Sequence, residues 1–485
     1  MFDVTIIGAG ITGSAAAFYF SQYELSVLVL EKENDVAMGT TRANSAIVHA
    51  GYDPIPGSLM ARLNVRGAKL TKTLCEKLNV SFSECGSLVL AFSEEEKEML
   101  ASLLERGKKN GVPSLSILTQ AEIEKLEPNI SHEAIAALYA PTAAIVNPWE
   151  FSILLLENAV ANGVSLQLNS EVFQMEKRND GTFQIFAGKD VYESRFVFNA
   201  AGVFSDEVHN LVAKPSFRIQ PEKGEYFLLD KSEGNMVSHV IFQCPTDKGK
   251  GVLVAPTVHG NLLVGPDSVK ISDKEDTKTT KEGLSFIAKA SRRSVESLRL
   301  GASIRNFTGV RATTEHEDFV IGEAFDVKGF FDLSGIKSPG LTSAPAIGEM
   351  AVSLLENKPI ELSRKKDWKW YPRKPLFHSL SVAEKKERIK QNSLYGHVVC
   401  RCETITEGDV LDAIYQVIPP VSLDGIKRRC GAGLGRCQGG FCAPRILEIL
   451  SRERGIPLDK IPMDKRGSYI LSHPTKMNVE DMENV

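Results

Sequence analysis

Hydrophobic positions recur with two different periods along the chain, and the changes of period mark its elements. Val4, Ile6 and Ile7 make a short apolar run that predicts a strand, and Gly8-Ala9-Gly10-Ile11-Thr12-Gly13 follows as a glycine-rich turn. Ala15 to Phe20 supply the apolar face of a helix, and Val27 to Leu30 a second buried strand ending at Glu31. Further on, Ser93 stands as a cap before an acid-rich stretch with helical periodicity to about residue 110. Between 215 and 270, alternating stretches such as Gly251-Val-Leu-Val-Ala and Asn261-Leu-Leu-Val-Gly predict a strand-rich region. From 358 to 395 the chain turns rich in Lys, Arg and Pro, with Trp368, Trp370 and Tyr371 interleaved, as in a linker lying over a surface. Thr404-x-x-Glu407 reads as a capping box before a helix whose apolar stripe is Val410, Leu411, Ile414 and Val417. Pro444 suits the first turn of a last helix carrying Ile446, Leu447 and Leu450, which places Cys442 near its positive end.

Composition narrows the class. A chain of 485 residues allows about three domains. With 43% hydrophobic and 24% charged residues it is not disordered as a whole. A formal charge of -4 argues against a dedicated nucleic-acid binder. No stretch approaches the ~18–20 apolar residues of a membrane crossing. Met1-Phe2-Asp3 leads straight into strand pattern without the basic start of a signal peptide, so a cytoplasmic protein, at most peripheral on the inner face of a membrane, is expected. Of eight cysteines, Cys75, Cys85 and Cys244 are scattered and five fall between Cys400 and Cys442. Such a cluster in a cytosolic protein points to a metal centre rather than disulfides.

The glycine turn has a physical rationale. Gly8 permits the tight turn, Gly10 lets a pyrophosphate approach the backbone, and Gly13 packs helix on strand. The helix N-terminus offers N–H groups and positive dipole to the phosphates, and Glu31 can accept from ribose hydroxyls. Thr40-Thr41-Arg42-Ala43-Asn44-Ser45 is a polar run suited to phosphates and ribityl hydroxyls, and Arg195 to Ser205 is an apolar strand ending in small residues. Phe331 to Thr342, containing Gly335 and Gly340, is a further glycine-rich passage from strand to helix. That helix can point its positive end at the pyrimidine edge of a flavin.

Across residues 1 to about 358 these pieces resemble the glycine/D-amino-acid-oxidase superfamily of FAD enzymes, and most nearly the FAD-dependent glycerol-3-phosphate dehydrogenases and oxidases. The stretches that carry the resemblance are Asn44-Ser-Ala-Ile-Val-His49-Ala-Gly51-Tyr-Asp-Pro, Gly309-Val-Arg311-Ala and Gly335-Ile-Lys-Ser-Pro-Gly340. It implies bound FAD, held by Gly8, Gly10, Gly13, Glu31, Thr40, Thr41, Asn44, Ser45, Val172, Ala201, Gly202, Gly335, Ile336, Lys337, Gly340, Leu341 and Thr342. No cysteine lies near these segments, so a thioether link to the flavin is not expected. The expected fold is an α/β FAD-binding Rossmann-like domain (1–80, 140–215 and 305–358) and an α+β substrate domain with an antiparallel sheet (81–139 and 216–304). A basic linker (359–395), a small helical iron–sulfur module (396–455) and a C-terminal tail (456–485) follow.

Oxidising a secondary alcohol needs a base for the hydroxyl proton and a path for hydride to the flavin. A histidine in a packed strand is ordinarily satisfied by backbone, but His49 in its His-Ala-Gly setting matches the family's catalytic histidine. Arg311 matches the arginine that holds the substrate anion, against a plain reading as an ion pair with Glu315 or Glu317. Lys250 is the candidate second positive charge, with Lys248 competing, and Arg305 a weaker anion-site candidate. Tyr52 stands close enough in sequence to His49 to line the same pocket.

Cys400-Arg-Cys402 and Cys437-Gln-Gly-Gly-Phe-Cys442 give four thiolates, which by number alone suit zinc or an iron–sulfur cluster. Together with Thr406-Glu-Gly and Gly435-Arg-Cys-Gln-Gly-Gly-Phe-Cys, the stretch resembles the bacterioferritin-associated-ferredoxin-type [2Fe–2S] domain, and the resemblance assigns these four cysteines as its ligands. Arg401, Arg429 and Arg436 crowd the thiolates and would offset their charge, or form a solvated basic face; Cys430 is a spare buried thiol or an alternative ligand. The same module is appended to the large subunit of anaerobic glycerol-3-phosphate dehydrogenases. The resemblance as a whole implies oxidation of sn-glycerol 3-phosphate, a small anionic substrate, to dihydroxyacetone phosphate. Electrons would pass to a protein partner, other subunits or a quinone, with the cluster as relay or as a staple of its domain. Two alternatives stand beside it: an L-2-hydroxyacid dehydrogenase of the 2-hydroxyglutarate kind, and an electron-transfer subunit with an inert pocket.

Overall fold

The computed structural model describes residues 1–245 and 251–473. They form two compact units: Met1–Lys32 with Val36–Arg373, and Glu33–Asp35 with the chain from Lys374 onward.

The first unit is built on two large sheets. In the first sheet, strands Ser165–Gln167, Val27–Leu30, Phe2–Ile7 and Asp190–Asn199 lie side by side and parallel, and Phe330–Ser334 continues the parallel order against Val197 to Asn199. Phe183–Ala187 and Val172–Lys177 add an antiparallel ribbon to the other end of Asp190–Asn199. Val27–Leu30 and Phe330–Ser334 are buried at every position, which is why their sequences are continuous rather than alternating apolar runs. Helices Ile11–Phe20, Pro148–Ala161 and Gly340–Ser353 pack together, and Gly348 makes this possible, since a Cβ there would stand 2.7 Å from the Ala15 carbonyl oxygen. This is the predicted α/β Rossmann-like architecture.

The second sheet has nine strands and is mostly antiparallel, as expected of the substrate domain. The strand-rich region holds Ile219–Leu229, Val240–Gln243, Leu253–Pro256 and Leu262–Gly265. Ile219–Leu229 pairs along its whole length with Ser303–Thr314, so that Glu222 opposes Arg311, Gly224 opposes Gly309 and Tyr226 opposes Phe307. Directly opposed residues share a face, and these six therefore lie on one side of the sheet. Lys223, Glu225 and Thr308 lie on the other side, where Lys223 meets Asp276 at 3.1 Å and Glu225 accepts from Thr280. A three-stranded sheet of Ile47–Val48, Ala144–Val146 and Phe82–Ser83 carries His49 at its edge.

The basic segment divides. Its first part lies along the first unit: Trp368 donates to Ser21 Oγ and meets the Phe18 ring edge-on, Tyr371 and Asn158 exchange two hydrogen bonds, and Arg373 pairs with the buried Glu150. From Lys374 the chain belongs to the second unit, where Ser381 caps a helix, Val382–Gln391.

In the second unit, helices Glu407–Ile414, Leu423–Cys430 and Ala443–Arg454 and the hairpin Val398–Cys400/Ile405–Thr406 enclose a core of Ile405, Val410, Ile414, Ile426, Ile446 and Leu450. The capping box is two residues later than expected: Thr406 is the cap and Asp409 its partner. Thr404 has φ 54° as the turn residue of the hairpin, so it cannot start the helix. Val417 is exposed beyond the helix end and leaves the predicted stripe.

Asp35 is 1% exposed within this unit. Its carboxylate accepts from Arg429 at 2.8 and 2.9 Å and from Arg428 at 2.9 Å, while Arg428 also reaches Asp464 at 2.8 Å. Burial pushes the Asp35 carboxyl up, but Arg429 and Arg428 pull it further down, well below the usual carboxylate range. A depressed carboxyl adds stability above its unfolded pKa of about 3.9, and that contribution fades as pH falls through its folded value. Asp35→Asn removes the counter-charge of buried Arg429, leaves Arg428 with Asp464 alone, and is expected to cost about 3–5 kcal/mol at pH 7. Hydrogen exchange of the Leu423–Cys430 amides reads this locally: protection should drop in the variant at pH 7, with a smaller difference at pH 3. Equal protection at pH 7 contradicts the role given to the pair.

Candidate functional site

The glycine turn has the geometry that its chemistry requires. Gly8 takes φ +103°, and a Cβ there would lie 2.5 Å from the Ala200 carbonyl oxygen. A Cβ on Gly13 would lie 1.9 Å from the Gly8 oxygen, so helix and strand meet only because it is absent. At Gly10 a Cβ would meet only Thr41 Oγ1, at 3.3 Å, which leaves an open cradle above the turn. Gly10 is the N-cap of helix Ile11–Phe20 and has no side chain of its own to cap that end. Its N–H groups and positive dipole suit a pyrophosphate. Glu31 Oε2 accepts the Ala9 N–H at 2.7 Å, fixing the acid beside the turn. Ala201 and Gly202 follow the end of Asp190–Asn199, with Gly202 at φ +58° opening a short 3-10 turn. Val172 lies on the antiparallel ribbon and packs against the cluster that contains Leu28 and Leu30.

The polar run after the second strand wraps around the same helix end. Thr41 Oγ1 accepts the Ile11 N–H at 2.9 Å, and Thr40 Oγ1 donates to the Val310 carbonyl at 2.6 Å. Asn44 donates to the Thr40 and Thr41 carbonyls and accepts the Ala46 N–H. Ser45 Oγ lies 3.1 Å from Tyr226 Oη, tying this run to the second sheet. From the other side, Gly335 (φ +64°), Ile336 and Lys337 turn the chain, and the Gly340 N–H donates to the Lys337 carbonyl at 2.7 Å. Helix Gly340–Ser353 begins there, again without a side-chain cap. Leu341 is half-buried against the cluster that includes Phe18 and Phe151.

Thr342 brings the two halves together. Its Oγ1 accepts the His49 N–H at 2.9 Å and donates to the Ile47 carbonyl at 3.3 Å. The His49 carbonyl accepts from Asn64 Nδ2 at 2.8 Å, its Nε2 stands 3.4 Å from Ser338 Oγ, and its ring stacks on Phe242. The backbone of His49 is thus fully engaged, and the residue lines a recess together with Tyr52, Asp53, Asn64 and Pro339. Asn64 Oδ1 is buried there and has no hydrogen-bond partner among the described residues. Burial, and then the Asp53 charge, push the Tyr52 phenol well above its ordinary range, so it stays neutral.

Arg311 does not line that recess. It lies on the sheet face shared with Gly309 and Tyr226, and a Cβ on Gly309 would stand 1.8 Å from the Ala43 oxygen, so this face packs against the Thr40–Ser45 run. Its ion pair is with Glu222, Nη1 to Oε1 at 2.7 Å, and not with Glu315 or Glu317. The cross-strand register puts Glu222 directly opposite, whereas Glu315 accepts from the Arg218 N–H. Arg305 is exposed near the outer end of the same strand, opposite Leu228. Lys250 and Lys248 lie outside the described residues.

The four predicted cysteines of the second unit converge. Cys400 and Cys402 sulfurs are 3.8 Å apart and those of Cys402 and Cys437 3.9 Å. Ligand bonds of about 2.3 Å to one tetrahedral metal give edges of ~3.8 Å, so the donor set fits thiolate–metal chemistry. Cys400 and Cys442 are buried; Cys402 and Cys437 are exposed. A hydrogen bond from Cys442, followed by the N–H groups of Gly433 and Glu403, lowers the Cys400 pKa, and the Phe441 N–H lowers that of Cys437. Such N–H donors stabilise sulfur-centred negative charge. Cys442 caps helix Ala443–Arg454, as Pro444 foretold. Cys430 is buried in the core and donates to the Ile426 carbonyl, the part of a packed thiol. Arg429, 3% exposed, is neither a solvated cation nor an unpaired one: Asp35 holds it.

Ser338 belongs to the Gly335–Gly340 stretch already singled out, whereas Asn64, Gly67, Phe242, Tyr226 and Glu222 stood in none of the motifs read from the sequence. Only Asn64 and Gly67 carried a signal, as a polar and a small residue on the apolar face of helix Leu59–Leu78. A family model described as FAD dependent oxidoreductase matches residues 3–354, and one described as BFD-like [2Fe-2S] binding domain matches residues 398–452. A glycerol 3-phosphate dehydrogenase of Caloramator mitchellensis is 49% identical over 481 residues, 99% of this chain and 100% of the relative. The FAD-bound, dithionite-reduced L-alpha-glycerophosphate oxidase from Mycoplasma pneumoniae superposes with a TM-score of 0.74 at 33% identity, covering 77% of this chain and 99% of that one. The human mitochondrial L-2-hydroxyglutarate dehydrogenase is 31% identical over 290 residues, 56% of this chain and 62% of the relative. FAD and a [2Fe–2S] cluster are accordingly the cofactors of the two matched domains.

Gly67 tests how tightly the flavin side is packed. A Cβ there would lie 2.1 Å from the Thr342 carbonyl oxygen, so the helix end under His49 has no room to give. Although alanine is the better helix former, Gly67→Ala is expected to weaken FAD binding about tenfold, equivalent to ~1.4 kcal/mol, in fluorescence titration of the apoprotein. Unchanged affinity would show that the contact relaxes freely.

Proposed function

Because the chain belongs to the FAD-dependent oxidoreductase family whose model matches residues 3–354, we propose that it oxidises sn-glycerol 3-phosphate to dihydroxyacetone phosphate. The observation that carries the reading is the Thr342 junction, which fixes the backbone of a recess-lining histidine against the uncapped start of helix Gly340–Ser353. Likeness to a glycerol 3-phosphate dehydrogenase along 99% of the chain favours the phosphate ester over the 2-hydroxyacid, whose relative spans 56% of it.

When bound, FAD supplies the hydride acceptor and the [2Fe–2S] cluster a one-electron carrier. His49 receives the C2 hydroxyl proton on its imidazole, and Thr342 and Asn64 fix the backbone from which that ring projects. Ser338, 3.4 Å from Nε2, orients the ring, and Phe242 packs on it and excludes water. Arg311 binds the phosphate, a planar donor matched to its oxygens. Glu222 fixes Nη1 and offsets part of its charge, so the substrate meets an arginine already oriented. Lys250, as a second positive charge, completes the proposed set.

An anaerobic titration tests the reading. Glycerol 3-phosphate should bleach the flavin absorbance, and His49→Ala should slow that bleaching by roughly 10²–10⁴-fold. Bleaching by L-2-hydroxyglutarate instead would move the assignment to the 2-hydroxyacid class. Bleaching by neither would make the chain an electron-transfer subunit.

Arg311→Lys separates binding from chemistry. It keeps the charge but loses the planar fork, and should raise the glycerol 3-phosphate concentration for half-maximal bleaching about tenfold or more, with the limiting rate little changed. A change confined to the limiting rate would take Arg311 out of the binding role.

A further inference from the structure

The thiol pair that faces solvent is framed by an unusual surface. Among residues 400–404 and 435–445, every exposed charged side chain is an arginine: Arg401, Arg436 and Arg445. Arg401 and Arg436 directly precede Cys402 and Cys437, the two exposed thiols. Phe441, between Cys437 and Cys442 in sequence, is 56% exposed, and the Arg401 guanidinium lies over its ring, 4.5 Å from the centroid. The neighbouring acids are drawn inward. Glu403 is half-buried against Gly435, and Glu407, 5% exposed, pairs with Arg452 at 3.0 Å and with Arg445 at 4.0 Å. An exposed aromatic ring costs solubility, and a cation held over it keeps both in one place. The result is an apolar contact point with a positive rim beside the outward half of the ligand set.

We propose that this face, Arg401, Arg436 and Phe441 around Cys402 and Cys437, is the docking surface for an acidic one-electron redox protein. Carboxylates on the partner would meet the arginines and steer the encounter, and an apolar patch near its own redox group would dehydrate the contact at Phe441. The proposal rests on the reading of this chain as a dehydrogenase of glycerol 3-phosphate. Each turnover of that substrate releases two electrons and two protons. Two partner molecules are then reduced by one electron each in successive encounters, and the protons pass to solvent.

The test uses the full chain with both cofactors and an acidic flavodoxin as the probe. Binding is measured anaerobically without substrate, so it does not depend on which substrate the first unit oxidises. Saturable binding at 50 mM salt is expected, weakening at least tenfold by 300 mM, with no comparable binding of a basic cytochrome c. Arg401→Glu, Arg436→Glu and Phe441→Ala should each weaken flavodoxin binding at least tenfold. Variants are scored on samples that retain full iron and sulfide, and glycerol 3-phosphate should bleach their flavin at the unchanged rate. Absence of flavodoxin binding at low salt, equal binding by the variants, or equal binding of the cytochrome would each overturn the proposal. So would reduction of a soluble neutral quinone that is slowed by the same variants while flavodoxin stays unbound. Failure of glycerol 3-phosphate to bleach the parent flavin would instead remove the substrate assignment and leave the binding result to be judged by itself.

Discussion

One buried hydroxyl organises the first unit. Thr342 is fully buried, and its oxygen serves two backbone groups of the Ile47–His49 segment at once. That segment has little else to hold it, because the strand Ile47–Val48 is only two residues long. Without the hydroxyl, a half-buried N–H next to the imidazole would have no acceptor, at a cost of about 1–3 kcal/mol. The hydroxyl is useful only if its helix cannot shift. Gly67 and Gly348 ensure this by letting helices Leu59–Leu78 and Ile11–Phe20 approach to backbone contact. The same helix end that holds the histidine backbone has no side-chain cap, so one element would set both the proposed proton acceptor and the N–H groups offered to the flavin.

The second unit solves a different problem. Its core is small, and Cys400, Cys430 and Cys442 are among its buried residues. A domain of this size gains much from metal binding, since the free energy of ligation is also folding free energy. Four thiolates in one place repel one another. The arrangement answers this with N–H donors from Gly433, Glu403 and Phe441 rather than with the nearest buried arginines. Those arginines, Arg428 and Arg429, are committed to Asp35, an acid from a distant point of the chain.

How much of this was legible in the sequence depended on range. Gly8, Gly10, Gly13 and Glu31 lie within one strand–turn–helix–strand unit, and local spacing was enough to read them. The cysteine pairs were legible because thiols are rare and their spacing is chemically narrow. The capping box was misplaced by two residues because Thr404 and Thr406 each have an acid three positions on, and only the hairpin pairing of Ile405–Thr406 decides between them. Glu222 could not be read at all. Eighty-nine residues separate it from Arg311, and only the register of two long strands brings them together. The nearer Glu315 was the natural choice by sequence distance and the wrong one. Thr342 was legible as part of a glycine-rich turn, but its bridge to His49 spans 293 residues.

Charge placement connects the two units' chemistry more closely than net charge does. A total of -4 says nothing about a substrate or partner, because the arginines that matter are sorted by what neutralises them. Arg428 and Arg429 are fully buried against carboxylates and serve as structure. Arg311 is partly exposed and partly neutralised by Glu222, which suits the substrate-binding role proposed for it. Arg401 is exposed and lies over an aromatic ring, which leaves its charge to face a macromolecule. Counter-ion and exposure, read together, rank the arginines from scaffold to proposed substrate site to proposed partner surface, and net charge carries no trace of that ranking.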